Sequence, residues 1–114
     1  MNDSVLSRRE LIGVCLTFPN SYEDYPFDDD NWTVIRHRSN KKIFAWIYER
    51  NGKLHINLKC EPMKADFWRN VYTSVTPGFH MNKVHWNTIT IGGDVPHDEL
   101  VSMIADSHSL TKGK

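Results

Sequence analysis

The segment from His80 to Trp86 (HMNKVHW) holds the densest group of side chains that could carry chemistry. Two histidines and a lysine can exchange protons or bind an anion, but no nucleophile or carboxylate lies at an informative spacing nearby. The histidines lie five residues apart outside a predicted helix, which matches no zinc signature. We therefore expect an anion or ligand pocket, with no catalytic residue and no metal. The alternative is that the histidines bond to backbone and Trp86 packs in the core. The pocket residues would be Lys59, His80, Lys83, His85 and Trp86.

A second group of candidates lies on a predicted hairpin. Asn51-Gly52 is the dipeptide that a type I′ turn favours, because both central residues need positive φ. Arg50 should therefore pair with Lys53, and alternation then separates two faces of the sheet. One face is apolar and should lie under the helices: Ile43, Ala45, Ile47, Leu54, Ile56 and Leu58. The other face carries Phe44, Trp46, Tyr48, His55, Asn57 and Lys59.

The second face has the composition of a nucleic-acid-binding surface. Aromatic rings stack on bases, which contributes roughly 1–3 kcal/mol per base, and flanking cations neutralise phosphates. The basic hairpin tips, 39–42 and 50–53, could contact phosphates as two wings, or could instead protect sheet edges and aid solubility. The rings could also be ordinary core beneath another helix or a partner subunit. The candidate nucleic-acid contacts are Arg36, Arg38, Lys41, Lys42, Trp46, Tyr48, Lys53 and Lys83.

Charge is unevenly distributed along the chain although its formal net value is zero. Residues 1–35 hold two basic and seven acidic residues, residues 36–83 hold ten basic and three acidic, and residues 84–114 hold two basic and four acidic. The zero net charge argues against a general polyanion binder, whereas the basic centre predicts one positive face. The run Asp28–Asp30 lacks the glycine and ligand spacing of a calcium loop and predicts a solvated loop.

The length of 114 residues and the 39% hydrophobic content fit one globular domain, 1–114, with its core at about 8–110 and a tail at 111–114. Two cysteines are too few for a disulfide framework, and neither a signal-peptide run nor a membrane span is recognised. We expect a cytoplasmic protein, favouring a monomer, without cofactor or enzymatic activity. The expected partner is DNA, and the alternative is an anionic small molecule or a protein.

Helix and turn signals give the order of the elements. A capping box at Ser7–Glu10 begins the first helix, and prolines begin the second and third. Strand-like runs fill most of residues 32–59, with a short strand near 25–27 and a last strand at 86–91. Pro77-Gly78 fits a type II turn with glycine at positive φ. The sequence therefore predicts an α+β fold, an antiparallel sheet of about five strands with three helices packed on it.

Several segments together resemble the MmcQ/YjbR family: RELIGVCLTFP at 9–19, KIFA at 42–45, LKCEP at 58–62, PGFHMNKVHW at 77–86, and residues 95–110. The resemblance covers nearly the whole chain. It implies a frataxin-type, CyaY-like α+β fold and a predicted DNA-binding role with a double-wing motif. Frataxin-like iron binding is not implied, because the first helix offers only Glu10 in place of the acidic ridge of frataxins.

Overall fold

A six-stranded antiparallel sheet carries three helices on one face in the computed structural model, which describes residues 5–113. The strand order is β1-β2-β3-β4-β6-β5. The α+β prediction is confirmed, with one strand more than expected. The elements are α1 Arg8–Leu16, β1 Ser21–Asp24, β2 Thr33–His37, β3 Ile43–Arg50, β4 Lys53–Lys59, α2 Pro62–Val71, β5 Val75–Pro77, β6 Trp86–Thr90 and α3 His97–Thr111.

Local signals set most of these boundaries. Ser7 caps α1 through the predicted capping box, with its hydroxyl accepting from the Glu10 N–H at 3.1 Å. The short strand predicted near 25–27 is wrong, because β1 lies earlier and the chain leaves it before Pro26, which has no N–H for a ladder. No helix within residues 5–113 has both the length and the apolar character needed to cross a bilayer.

The β3–β4 hairpin has the predicted register. Asn51 and Gly52 have φ values of 56° and 74°, and Arg50 lies opposite Lys53. The pairing continues without a shift to Ala45 opposite Leu58. This hairpin forms the centre of the sheet and fixes which β3 and β4 side chains face away from the helices.

The predicted position of Phe44 on the open face is wrong. The β2–β3 pairing shifts at Ile35/Arg36, where the extra β3 residue of a β-bulge lies. Phe44 therefore packs in the core on the helix side, with its ring 4.9 Å from that of His108 on α3. Ile43 correspondingly lines a groove on the open side.

The turn predicted at Pro77-Gly78 also differs from the expectation. Gly78 is absent from the positive-φ residues, so the turn is not type II. A Cβ on Gly78 would instead lie 2.8 Å from the Cβ of Trp86, a distance that real side chains do not adopt. Glycine is needed here because the two backbone segments approach closely, and Gly78 N–H donates to the Trp86 carbonyl at 2.9 Å.

Candidate nucleic-acid and ligand interface

The sheet face opposite the helices is partly covered by the chain itself. The loops 25–32 and 78–85 cross it, and Trp32 stacks on Tyr48 with centroids 4.3 Å apart. Phe79 stacks on the same ring at 5.7 Å and has the Arg50 guanidinium 4.0 Å from its own centroid. Tyr48 is consequently only 1% exposed. It is not available to stack on a base, contrary to the prediction.

A buried polar network fastens this cover to the strands. The Asn57 carboxamide oxygen accepts from the Tyr48 hydroxyl at 2.9 Å and from the Thr88 hydroxyl at 2.6 Å. Its nitrogen donates to the Phe79 carbonyl at 2.9 Å, and Phe79 N–H donates to Thr88. Asn57 is fully buried, so water cannot replace a hydrogen bond that is lost here. Each lost bond would leave buried polar groups without a partner.

Burial lowers the pKa of two histidines and so favours their neutral form. Burial lowers the pKa of His55, which lies between the Arg50 carbonyl and the Thr90 hydroxyl. Burial, followed by the nearby His108, lowers the pKa of His37, whose Nε2 is 2.8 Å from the Thr111 hydroxyl. These histidines are structural members of the fold, and neither lines a cleft on the open face.

The open end of the same face forms a concave surface that we call the basic groove. Its volume is about 420 Å³, and it combines candidates from both predicted sets. Lys59 and Trp86 are direct partners across β4 and β6, so the groove floor is set by strand register. The lining residues are Arg36, Lys41, Lys42, Ile43, Trp46, Lys59, Trp86 and Thr111.

The turn that bears Lys41 and Lys42 is held in place on several sides. Arg36 donates from Nη1 to the Lys41 carbonyl at 2.8 Å and from Nε to Asp24 at 2.8 Å. Asn40 accepts from Lys42 N–H and donates to two carbonyls at the end of α3. Lys41 itself has a positive φ of 63°. The backbone beneath these two ammonium groups is therefore fixed before any ligand binds.

Trp86 is positioned by Arg69 of α2. The Arg69 guanidinium donates to the carbonyls of Lys83 and Trp86, and its Nε donates to Asn87 at 2.6 Å. Trp86 is half-buried, so part of its ring remains accessible in the groove. No sequence pattern predicts this role of Arg69, because the contact joins a helix to a distant loop.

A second concavity, the aromatic cleft, lies on the other side of Trp46. It has a volume of about 350 Å³. Trp46 therefore separates two different surfaces, one basic and one aromatic. The lining residues of the aromatic cleft are Phe27, Asp29, Trp32, Trp46, His80 and Met81. The sequence predicted an irregular loop at 20–31 and missed this role, although the closely spaced aromatic residues Tyr25, Phe27 and Trp32 are a signal for one.

The remaining predicted contacts lie outside the groove. Arg38 lies over the Tyr22 ring near the sheet edge, and Lys53 lies at the hairpin tip at the other end of β3. Lys83 donates from Nζ to the Gly78 carbonyl at 2.9 Å and so closes its own loop. His80 lines the aromatic cleft, while His85 is exposed and lines neither surface. The predicted pocket of five residues is thus divided.

The cysteines and the possible metal ligands are two further kinds of group that could react. Burial raises the pKa of the Cys15 thiol to about 12 and raises that of Cys60, which keeps both in the unreactive thiol form. Among residues 5–113, His, Cys, Asp and Glu side chains form no cluster of three or more suited to a metal ion.

The comparison with protein families agrees with the fold and with the quoted motifs. The family model described as YjbR matches residues 16–110. The chain belongs to the YjbR family. This YjbR-family chain is 36% identical over 100 residues to YyaQ of Bacillus subtilis, covering 78% of this chain and 84% of YyaQ. It is 25% identical over 99 residues to YjbR of Escherichia coli K12, covering 87% of this chain and 81% of YjbR.

Solved structures share the fold of this YjbR-family chain. A crystal structure of a Pseudomonas syringae protein matches with a TM-score of 0.84 and 28% identity, covering 94% of this chain and all of the other. A crystal structure of a Deinococcus radiodurans protein matches with a TM-score of 0.82 and 32% identity, covering 93% of this chain and 78% of the other. The family predicted from the motifs is thereby confirmed.

Proposed function

We propose that the protein binds single-stranded nucleic acid in the basic groove. The observation that carries this proposal is the convergence of four cationic side chains and two accessible indoles on one concave surface. Phosphates would lie against Lys41, Lys42 and Lys59, and a base would stack on Trp46 or Trp86. Such pairing of cations with stacking rings is how proteins bind single strands without reading sequence.

A single strand is a better fit than a duplex straddled by two wings. The strand β3 spans about 24 Å from Ile43 to Arg50 at roughly 3.4 Å per residue, so the two basic turns lie at opposite ends of the sheet. The surface between them holds the aromatic cleft, and Asp29 is among the residues that line it. A duplex reaching both turns would bring its phosphates past that carboxylate.

The net charge of the groove predicts that only about three phosphates of the strand are contacted. Asp24 pairs with Arg36 and offsets one of the four cations, which leaves a local excess of about three positive charges. Within residues 5–113, none of Lys41, Lys42 and Lys59 forms an ion pair with a carboxylate. Each neutralised phosphate of a single strand contributes about −0.7 to the slope of log affinity against log salt. We therefore expect a slope of about −2.

A second candidate is a free nucleotide or another small phosphorylated aromatic compound. A groove of about 420 Å³ with Trp86 on its wall has the size of a small-molecule site. The chemistry of recognition is the same, a phosphate on lysines and a ring on an indole. Competition of a mononucleotide with a labelled oligonucleotide distinguishes a free nucleotide from a nucleic-acid strand as the ligand.

The test is fluorescence anisotropy of a labelled ten-nucleotide single strand and of the corresponding duplex, at low and near-physiological salt. The proposal predicts tighter binding of the single strand, lost in Lys42→Gln/Lys59→Gln. The matched control is Lys53→Gln/Lys64→Gln, which removes the same charge from two exposed lysines that do not line the groove. Equal loss in both double variants would show a diffuse charge effect and would overturn the groove assignment.

A further inference from the structure

The aromatic cleft does not take part in the proposed nucleic-acid contact, and its walls have their own chemistry. Trp32 meets Trp46 at 86° with centroids 6.2 Å apart, while Phe27 lies within 20° of the Trp46 plane at 6.1 Å. The rings therefore stand in more than one plane around a volume of about 350 Å³. Such an arrangement surrounds a compact group from several sides.

The spacing of these rings argues against a flat base between them. A base sandwiched between two rings needs about 7 Å, since each aromatic contact takes about 3.5 Å. The 6.1 Å between Phe27 and Trp46 is less than that. No ligand therefore lies between Phe27 and Trp46, and the volume that remains is the corner where Trp32 and Trp46 meet at 86°. A compact, rounded group can contact both of these rings in that corner, whereas a planar base can lie flat on only one of them.

The charge of the cleft favours a positive ligand. Asp29 lines it, and its Oδ1 is fixed by accepting from the Asn31 N–H at 2.9 Å. Asp28 and Asp30 are exposed neighbours in the same loop. In the part of the chain that the structure describes, no lysine or arginine lines the cleft, whereas four cations line the groove beyond Trp46. The two sides of Trp46 therefore differ in sign.

We propose that the aromatic cleft binds a methylated ammonium group, as in choline or trimethyllysine. The faces of Phe27, Trp32 and Trp46 attract such a cation through their π-electrons, and Asp29 adds a formal negative charge at the edge. A methylated ammonium suits this site because its low hydration makes transfer onto aromatic faces favourable. The proposal does not depend on the nucleic-acid contact, since only Trp46 is common to the two surfaces.

The test is titration of the ¹⁵N-labelled protein with choline, and in parallel with 3,3-dimethyl-1-butanol, which has the same shape without the charge. Shifts of the indole N–H signals of Trp32 and Trp46 report occupancy. Choline should bind at least about tenfold more tightly than the neutral alcohol. Equal shifts with both compounds would mean a merely apolar cavity and would overturn the proposal. Trimethyllysine compared with lysine then shows whether the group can be presented on a side chain.

Variants that keep the fold sharpen this test. Asp29→Asn retains an oxygen for the Asn31 N–H and removes the charge, while Phe27→Leu retains apolar volume and removes the ring. Each should weaken choline binding about three- to tenfold. Asp28→Asn is the matched control, because Asp28 is exposed and does not line the cleft. Unchanged affinity in both test variants, or the same loss in the control, would contradict the cation site.

Discussion

The indole of Trp32 lies flat on the ring of Tyr48, with centroids 4.3 Å apart and 24° between the planes. This contact joins the loop after β1 to the centre of the sheet and excludes solvent from the Asn57 network beneath. The open face is therefore neither bare nor covered by a helix. It is covered in its middle by the chain's own loops and remains accessible on either side of Trp46.

Removal of this cover should destabilise the whole fold. We expect Trp32→Ala to lower the free energy of unfolding by about 2–4 kcal/mol, because a large stacked ring is lost over a buried residue. Phe27→Ala in the same loop should cost less than about 1 kcal/mol, since Phe27 is 48% exposed. Urea unfolding monitored by circular dichroism measures both. Equal losses of unfolding free energy in the two variants would mean that the whole loop, and not Trp32 in particular, stabilises the fold.

The Asn57 network should be similarly sensitive. Asn57→Ala leaves the hydroxyls of Tyr48 and Thr88 without their acceptor and the Phe79 carbonyl without its donor, so we expect a loss of about 2–3 kcal/mol. Asn70→Ala on the exposed surface of α2 is the control and should stay within about 0.5 kcal/mol of the wild type. An Asn57→Ala variant as stable as the wild type would show that these hydrogen bonds do not hold the loops 25–32 and 78–85 on the sheet.

Much of this fold could be predicted from local sequence signals. The Asn51-Gly52 turn predicts the hairpin register, because only a two-residue turn with positive φ at both positions joins the strands there. The Ser7 capping box likewise predicts the start of α1. The position of Phe44 could not be predicted, since alternation assumes an unbroken ladder and the bulge has no local signature in the sequence.

The candidate site was predictable in part. The basic centre and the aromatic face directed attention to Arg36, Lys41, Lys42 and Trp46, and the hairpin register placed Lys59 on the same face as Trp46. The sequence did not join Trp86 to these residues. Trp86 lies beside Lys59 in the groove because the other edge of β4 pairs with β6 and not with β5, the next strand along the chain. Pairing between strands distant in sequence depends on the whole fold, which single-sequence patterns do not encode.

The close approach at Gly78 gives a backbone prediction. Gly78→Ala places a Cβ 2.8 Å from the Cβ of Trp86, and the strain should cost about 1–3 kcal/mol. Gly13→Ala is the opposite case, because nothing lies within 4 Å of a Cβ there and the residue is in a helix. It should stabilise the protein by about 0.5–1 kcal/mol. Thermal unfolding distinguishes the two, and a stable Gly78→Ala would contradict the close contact.

Stability should fall on mild acidification. The pKa values of His37 and His55 are lowered in the folded state, so below about pH 6.5 the unfolded chain binds more protons than the folded one. Stability is therefore fully present above about pH 6.5 and is lost as pH falls towards 5. Urea midpoints between pH 5 and 8 measure this, and His37→Gln/His55→Gln should flatten the profile. A wild-type profile that is level over this range would contradict the buried neutral histidines.

The most direct test of the central claim follows the four tryptophan indole N–H signals during titration with a ten-nucleotide single strand. Each signal is assigned by Trp→Phe substitution, and Trp46→Phe should preserve the fold because the Trp46 Nε1 is buried without a partner within residues 5–113. Binding in the basic groove predicts saturable shifts of Trp46 and Trp86 with little change at Trp68, which lies on α2. Unmoved signals of both Trp46 and Trp86 at saturation, or shifts confined to Trp68, would contradict the account.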